Sequence, residues 1–377
     1  GVRLQGPNCL GILNAHHQMN ATFAPSVPPP GKISVISQSG ALCVAILDWA
    51  AQQKLGMGKV ISIGNKADLN EADFLQALAE DKQTTVVASY LESIKDGNKF
   101  LRIAEEAAAV KPVVILKVGI TQAGAKAASS HTGSLAGADI AYGAAFRRSG
   151  VVRAENVEAL FDYALAFSSQ PLPKGSRVAV ITNAGGPGIM AADAAESLGL
   201  KMVTPRPEAQ ALMRKFLPAA ASVGNPVDVI GDAPPALYIE SLKVLQEEED
   251  IDAIVVVVTP QNMTEPSLLA EQLAATHNGK KPLLTAFMGG EAVADAKAKL
   301  MAACITSYAS PDRAMHSLKA MCDYAAWRRR PPRVVTRFPV NRRRVDRVLQ
   351  VHSRSGQPQI GEVEAKEILR AYEFNIL

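Results

Sequence analysis

Arg177-Val178-Ala179-Val180-Ile181-Thr182-Asn183-Ala184-Gly185-Gly186 decides how this chain folds, because its pattern has already occurred once. About 145 residues earlier stands Lys32-Ile33-Ser34-Val35-Ile36-Ser37-Gln38-Ser39-Gly40. Each stretch is a short apolar run, then a loop of small residues with glycine, then a helix pattern, over Ala41–Lys54 in one copy and Ile189–Leu198 in the other. Short apolar runs that end in polar residues have the length of buried strands. The blocks that follow keep the same order. Thr85–Leu91 matches Ala253–Thr259, Lys111-Pro112-Val113-Val114 matches Lys281-Pro282-Leu283-Leu284, and Val151–Phe167 matches Thr306–Tyr324. Strands alternating with helices predict a parallel sheet covered on both faces. Two copies predict an α/β protein of two tandem flavodoxin-like, doubly wound parallel-sheet domains, with about five strands in each.

In such sheets ligands sit at the carboxyl ends of the strands, on the loops that enter helices. That directs attention to Ser37–Gly40 and Asn183–Gly188. A helix start offers unpaired N–H groups and a partial positive charge, which suits a phosphate. Ser39 and Asn183 have side chains able to cap a helix or bind an oxygen. Gly40, Gly185 and Gly186 allow a close backbone approach. Ordinary, well-capped strand-to-helix turns explain the same residues. Neither loop ends in the Gly-Lys-Ser/Thr of a Walker motif or forms a dinucleotide fingerprint.

Gly119–Gly137 reads as a long loop of small polar residues with four glycines and one histidine, His131. Long irregular loops in compact domains are often functional. An imidazole can take a phosphoryl group near neutral pH. Glu92, at the end of the strand Thr85–Leu91, is a carboxylate able to orient such a ring. An exposed loop histidine and a surface acid are the plain alternatives.

Composition narrows the rest. With 377 residues, 48% apolar and 20% charged, the chain suits two or three soluble domains. No stretch is long enough to span a membrane, and no signal peptide opens the chain. The cysteines Cys9, Cys43, Cys304 and Cys322 lack metal-type spacing, so no metal site is expected. The net charge of +4 hides ten arginines and a single acid, Asp346, between Arg328 and Arg354. With Pro331, Pro332 and Pro339 this run predicts an exposed linker. Only Phe338 supplies an aromatic ring there, so no nucleic-acid partner is expected.

Taken together, Gly6-Pro7-Asn8-Cys9-Leu10-Gly11, Ser37-Gln38-Ser39-Gly40-Ala41-Leu42, Gly64-Asn65-Lys66-Ala67-Asp68, Tyr90-Leu91-Glu92, Ser130-His131-Thr132-Gly133-Ser134 and Thr182–Gly188 resemble the NDP-forming acyl-CoA synthetase family, which is related to succinyl-CoA synthetase. The resemblance implies that His131 is transiently phosphorylated and that Glu92 holds it. It implies that Ser39, Gly40, Asn183, Gly185 and Gly186 bind the phosphoryl group. Asn8 and Cys9 would lie where the CoA thioester reacts, and Asn65 and Asp68 in a loop near the acyl group. Residues 1–26 are then expected to be the tail of a CoA-binding Rossmann domain. Residues 31–169 and 174–327 would be the two flavodoxin-like domains, 328–355 the linker, and 356–377 the start of an ATP-grasp domain. The implied reaction interconverts acyl-CoA, ADP and phosphate with carboxylate, CoA and ATP. CoA and the acyl substrate would be bound here. ATP or ADP and Mg²⁺ would be bound mainly by an ATP-grasp domain in cis or in trans. A cytoplasmic homo-oligomer is expected, and the chain is expected to be incomplete by itself. The alternative is the synthetase-like regulatory region of a protein lysine acetyltransferase, in which the phosphorylatable histidine is typically absent.

Overall fold

Five of the first seven strands run parallel, because each is joined to the next by a helix long enough to cross back over the sheet. The chain opens with β1 (Gly11–Asn14) and β2 (Met19–Thr22). Then come β3 (Pro30–Ser37), α1 (Gly40–Gln52), β4 (Met57–Ser62), α2 (Glu71–Glu80), β5 (Val86–Leu91), α3 (Gly97–Val110), β6 (Val113–Lys117), α4 (Asp139–Ser149), β7 (Val152–Ala154) and α5 (Val157–Ser169). This computed structural model describes residues 1–24, 26–53, 55–121, 124, 139–261, 263–331, 340–355 and 359–376. His131 lies outside the described residues.

The first sheet has the order β2-β1-β4-β3-β5-β6-β7. Its parallel part, β4-β3-β5-β6-β7, is the flavodoxin order 2-1-3-4-5. The antiparallel hairpin β1–β2 extends it by pairing with β4. Residues 1–26, expected as the tail of a separate domain, thus build onto this sheet. An unpaired β4 edge would leave a row of open hydrogen-bonding groups. Leu13 and Ala15, both fully buried, fasten the hairpin to the core. One face of the sheet is covered by α2, α3 and α4, through Phe74, Leu75, Phe100, Ile103 and Phe146. The other is covered by α1 and α5.

The second copy contains β8 (Arg177–Thr182), α6 (Gly185–Ser197), β9 (Lys201–Met202), α7 (Pro207–Met213), β10 (Val227–Asp228), α8 (Pro235–Glu247), β11 (Ala253–Val258), α9 (Pro266–Thr276), β12 (Leu283–Phe287), α10 (Ala294–Ala302) and α11 (Pro311–Arg328). Its sheet runs β10-β8-β11-β12, with β9 pairing β8 near the start of that strand. Two short strands share the edge that one strand holds in the first copy. Asn225 bridges the gap between them: its side chain accepts from Val180 N at 3.0 Å and donates to Val178 O and Val203 O at 2.8 Å. The short strand expected at the start of Thr306–Tyr324 is reduced to a single parallel bridge between Thr285 and Ser307.

The α1–α5 face and the α6–α11 face share one apolar core. Across it Arg313 grips Asp162 at 2.7 and 3.0 Å, and Tyr324 donates to Ala108 O at 2.7 Å. The two copies therefore form one compact unit, Gly1–Arg329.

A second unit spans Arg330–Leu377. It holds α12 (Arg342–Ser355) and α13 (Glu362–Ala371), joined by Asn341 N to Ala371 O at 3.1 Å and Arg344 Nε to Glu367 Oε1 at 2.9 Å. The run expected as a linker thus includes a helix. Arginine is a good helix former, and Val345 and Val348, three apart, give it a buried stripe. No helix among the described residues is long and apolar enough to cross a membrane.

Candidate active site

The apolar β3 ends at Ser37, where the chain must leave the sheet and start α1. Ser37 Oγ donates to Ser39 O at 2.8 Å and accepts from Ser39 N at 3.1 Å. Ser39 then caps α1 by accepting from Leu42 N at 3.2 Å. The second copy repeats the turn with Thr182 in the place of Ser37. Its Oγ1 donates to Ala184 O and accepts from Ala184 N, both at 3.1 Å. Here the cap residue is Ala184, which has no side chain to offer. A Cβ added at Gly185 or Gly186 meets no described atom within 4 Å, so the start of α6 is open.

Between Ser37 and Ser39 lies Gln38, which is buried. Its Oε1 accepts from Glu92 N at 2.9 Å and from Ser93 N at 3.1 Å. Asn183 occupies the equivalent position and makes the equivalent bond, its Oδ1 accepting from Thr259 N at 2.9 Å. Its Nδ2 donates to Thr259 O and Thr264 Oγ1. Asn183 is 1% exposed. The expectation that its side chain caps a helix or binds phosphate is therefore corrected. A buried amide needs all its partners, and these lie in the loop after β11.

Glu92 is buried at the carboxyl end of β5, and its main chain is held on both sides. Gln38 accepts from its N–H, and Lys117 Nζ donates to its carbonyl at 2.7 Å. Lys66 holds the next residue, donating to Ser93 O at 2.7 Å while pairing with Glu71 at 3.0 Å. Lys66 and Glu71 are both nearly inaccessible.

The stretch from Arg3 to Leu10 lies across the end of β4. Ala67 N donates to Gly6 O at 2.8 Å, Asn65 N to Pro7 O at 2.9 Å, and Leu10 N to Ser62 Oγ at 3.0 Å. Asn8 Nδ2 reaches Asn65 Oδ1 at 3.3 Å. Gly64, at φ +53°, has no room for a side chain, since a Cβ would lie 2.3 Å from Pro7 O. Cys9 is half-buried beside Gly6. Asp68 is committed to a clasp with Arg3 Nε at 2.9 Å and Leu4 N at 2.9 Å. The Arg3 side chain holds its carboxyl below the usual range. Burial pushes the neighbouring Cys43 thiol up to about 11, which keeps it protonated.

Asn8, Cys9, Ser39, Gly40, Asn65, Asp68 and Glu92 thus gather at the carboxyl edge of the first sheet. Gly185 and Gly186 stand at the same edge of the second. The residues that the sequence reading passed over are Gln38, Lys66, Glu71, Ser93 and Lys117. A signal for Lys117 was available: one lysine closes the otherwise apolar run Val113–Leu116. No cluster of three or more His, Cys, Asp or Glu able to hold a metal exists among the described residues.

This duplicated α/β fold, with short strand-to-helix loops at the carboxyl edges of both sheets, defines a class of doubly wound proteins in which ligands are held at those edges. Comparison narrows the class. Residues 30–167 match the succinyl-CoA ligase like flavodoxin domain, and residues 178–330 match the ligase-CoA domain. An ADP-forming acetate–CoA ligase of Archaeoglobus fulgidus is 40% identical over 378 residues, covering 100% of this chain and 54% of the relative. The subunit alpha of ADP-forming acetate–CoA ligase I of Pyrococcus furiosus is 39% identical, over 87% of this chain and 71% of its own length. The acetyl-coenzyme A synthetase 1 of Candidatus Korarchaeum cryptofilum, solved with phosphate and ADP, superposes with a TM-score of 0.83 at 36% identity, over 87% of this chain and 72% of that one. The chain belongs to the NDP-forming acyl-CoA synthetase family, and it spans about half the length of the Archaeoglobus relative. The acetyltransferase-linked alternative finds no support in these matches.

Proposed function

We propose that this chain carries the phosphoryl-transfer centre of an ADP-forming acyl-CoA ligase in the cytoplasm. A CoA-binding part and an ATP-grasp part, in cis or in trans, complete the reaction, as the existence of a separate subunit alpha in Pyrococcus suggests. Phosphate attacks the thioester carbon and CoA leaves as its thiolate, which gives an acyl phosphate. A nitrogen of His131 attacks phosphorus, the P–O bond breaks, and the carboxylate departs. The β-phosphate of ADP then takes the phosphoryl group as the P–N bond breaks. Glu92 accepts a hydrogen bond from the other imidazole nitrogen, fixes the tautomer and stabilises the cation formed on attack. The starts of α1 and α6 stabilise the dianionic group as it passes, through Ser39, Gly40, Gly185 and Gly186. Asn8 and Cys9 lie beside the thioester, and Asn65 shapes the acyl side through its bond to Asn8. No step is assigned to Mg²⁺.

The observation that carries this reading is the clamping of Glu92. Glu92 is itself buried, which a carboxylate used only as surface charge is not, and a buried glutamine and a buried ammonium fix its main chain. The complete enzyme, with CoA-binding and ATP-grasp parts present, should make ATP from acetyl-CoA, ADP and phosphate. His131→Asn should abolish this by at least about 10⁴-fold, because it removes the nucleophile. Turnover of His131→Asn at an unaltered rate would refute the relay.

A further inference from the structure

Lys117 is the one residue of β6 whose side chain carries charge, and it is 2% exposed. Placing an ammonium there costs several kcal/mol in desolvation unless its protons are matched. They are matched, but by no carboxylate. Nζ donates to the carbonyls of Glu92 and Val118 and sits 4.4 Å from the centre of the Tyr142 ring. Two carbonyl oxygens and the electron-rich face of an aromatic ring accept three N–H bonds. A neutral amine would turn its lone pair toward one of these acceptors, so the surroundings fit the ammonium. Lys66, the other buried lysine of the site, has its charge balanced by Glu71 at 3.0 Å. Among the described residues Lys117 has no carboxylate in direct contact, and its positive charge stands against the main chain of Glu92.

We propose that Lys117 is a positioning residue for phosphoryl transfer. It fixes the carbonyl of Glu92, and with it the carboxylate, and its charge favours a dianionic group beside that carboxylate. The inference rests on the phosphohistidine reading above. The charged groups facing it among the described residues are Glu92 and Lys66 from the strand-end loops, Asp139 from α4 and Arg153 from β7. Asp139 and Arg153 pair with each other at 2.5 Å. Tyr142 of α4, whose hydroxyl burial pushes up, stays neutral.

Burial pushes the Lys117 ammonium down to about 8, with the Arg153 charge acting in the same sense. Between about 8 and its ordinary value of 10.5 the folded chain has lost a proton that the unfolded chain keeps. The contribution of this group to stability therefore rises with pH across that window. The proposed role predicts the opposite course for the reaction, which slows as the ammonium is lost. A merely structural lysine would not separate the two.

The test uses this chain and labelled acetyl phosphate, with transfer of the phosphoryl group to the protein followed over time. The label should form with a rate that falls above pH about 8, as the Lys117 ammonium is lost. Lys117→Met should fold, with a melting temperature at or above the unaltered chain's, and label roughly 100-fold more slowly. Lys117→Arg should restore most of the rate and remove the alkaline fall. A Lys117→Met chain that labels at the unaltered rate would overturn the proposal. If that variant does not fold, a rate flat from about pH 7 to about pH 10 in the unaltered chain overturns it instead. Failure of any label to form overturns the phosphohistidine reading and this inference together, whereas normal labelling of Lys117→Met sinks the inference alone.

Discussion

Gln38 and Asn183 perform the same task in the two copies, and each does so fully buried from a position between a strand and a helix. Each side-chain oxygen accepts the N–H of the residue just past the neighbouring strand, Glu92 in one case and Thr259 in the other, at 2.9 Å in both. The latch ties β3 to β5 in one copy and β8 to β11 in the other, at the edge where the helix starts. Replacing Gln38 by Leu keeps the volume but leaves the N–H groups of Glu92 and Ser93 buried without an acceptor. Each such loss costs about 1–3 kcal/mol, so Gln38→Leu should lower stability to urea by about 2–4 kcal/mol and slow phosphoryl transfer. Asn183→Leu should cost a similar amount. An unchanged urea midpoint in both would show that the latch is incidental. From the sequence Asn183 could cap a helix, bind phosphate or latch a neighbouring loop, since a small polar residue two positions ahead of Gly185 permits all three roles. What separates them is the position of Thr259 and Thr264, more than 70 residues away in the chain.

Helix starts carry the next level of the account. The α1 start is closed by Ser39 and lies against the N-terminal stretch, since a Cβ at Gly40 would come within 3.4 Å of Leu10 N. The α6 start has no side-chain cap and open space before it. Gly185→Ala therefore separates structure from function. It adds a methyl group where nothing is crowded, and removing a glycine from a helix favours folding by up to about 1 kcal/mol. If the phosphoryl group approaches that backbone, the same methyl group should slow labelling by about tenfold or more. A stabilised Gly185→Ala chain that labels normally would remove α6 from the phosphate site. The elements themselves were legible where burial imposes a period or a run. Ala253–Val258 is a buried strand that reads as a continuous apolar stretch, and Val86–Leu91 is broken only by Ser89. The hairpin β1–β2 was not legible, because most of its residues are partly exposed or exposed and its place is set by the free edge of β4. The second sheet does have five strands, but the short one expected at the start of Thr306–Tyr324 is a single bridge, as only Ser307 pairs with β12.

At the scale of the molecule, duplication is the feature that organises everything else. Two parallel sheets built on the same central strand order, β3-β5-β6 and β8-β11-β12, lie on either side of a shared layer made of α1, α5, α6 and α11. The repeat was visible in the sequence because both copies need the same buried runs and the same small loops. The differences between the copies were visible only in part. Where the first copy has Ser39 and Glu92, the second has Ala184 and Thr259, a difference that fits the proposal that the first copy supplies the reacting side chains and the second only backbone. Among the described residues only the first copy holds buried lysines, Lys66 and Lys117, which accords with the proposed single site built from an unequal pair. The central claim is that this site passes a phosphoryl group through His131, and locating that group tests it most directly. After incubation with labelled acetyl phosphate, the protein should carry an acid-labile, base-stable label. Peptide mapping should put it on His131, and His131→Ala should lose it while keeping its fold. A label that survives His131→Ala, or that maps to any other residue, would contradict the account.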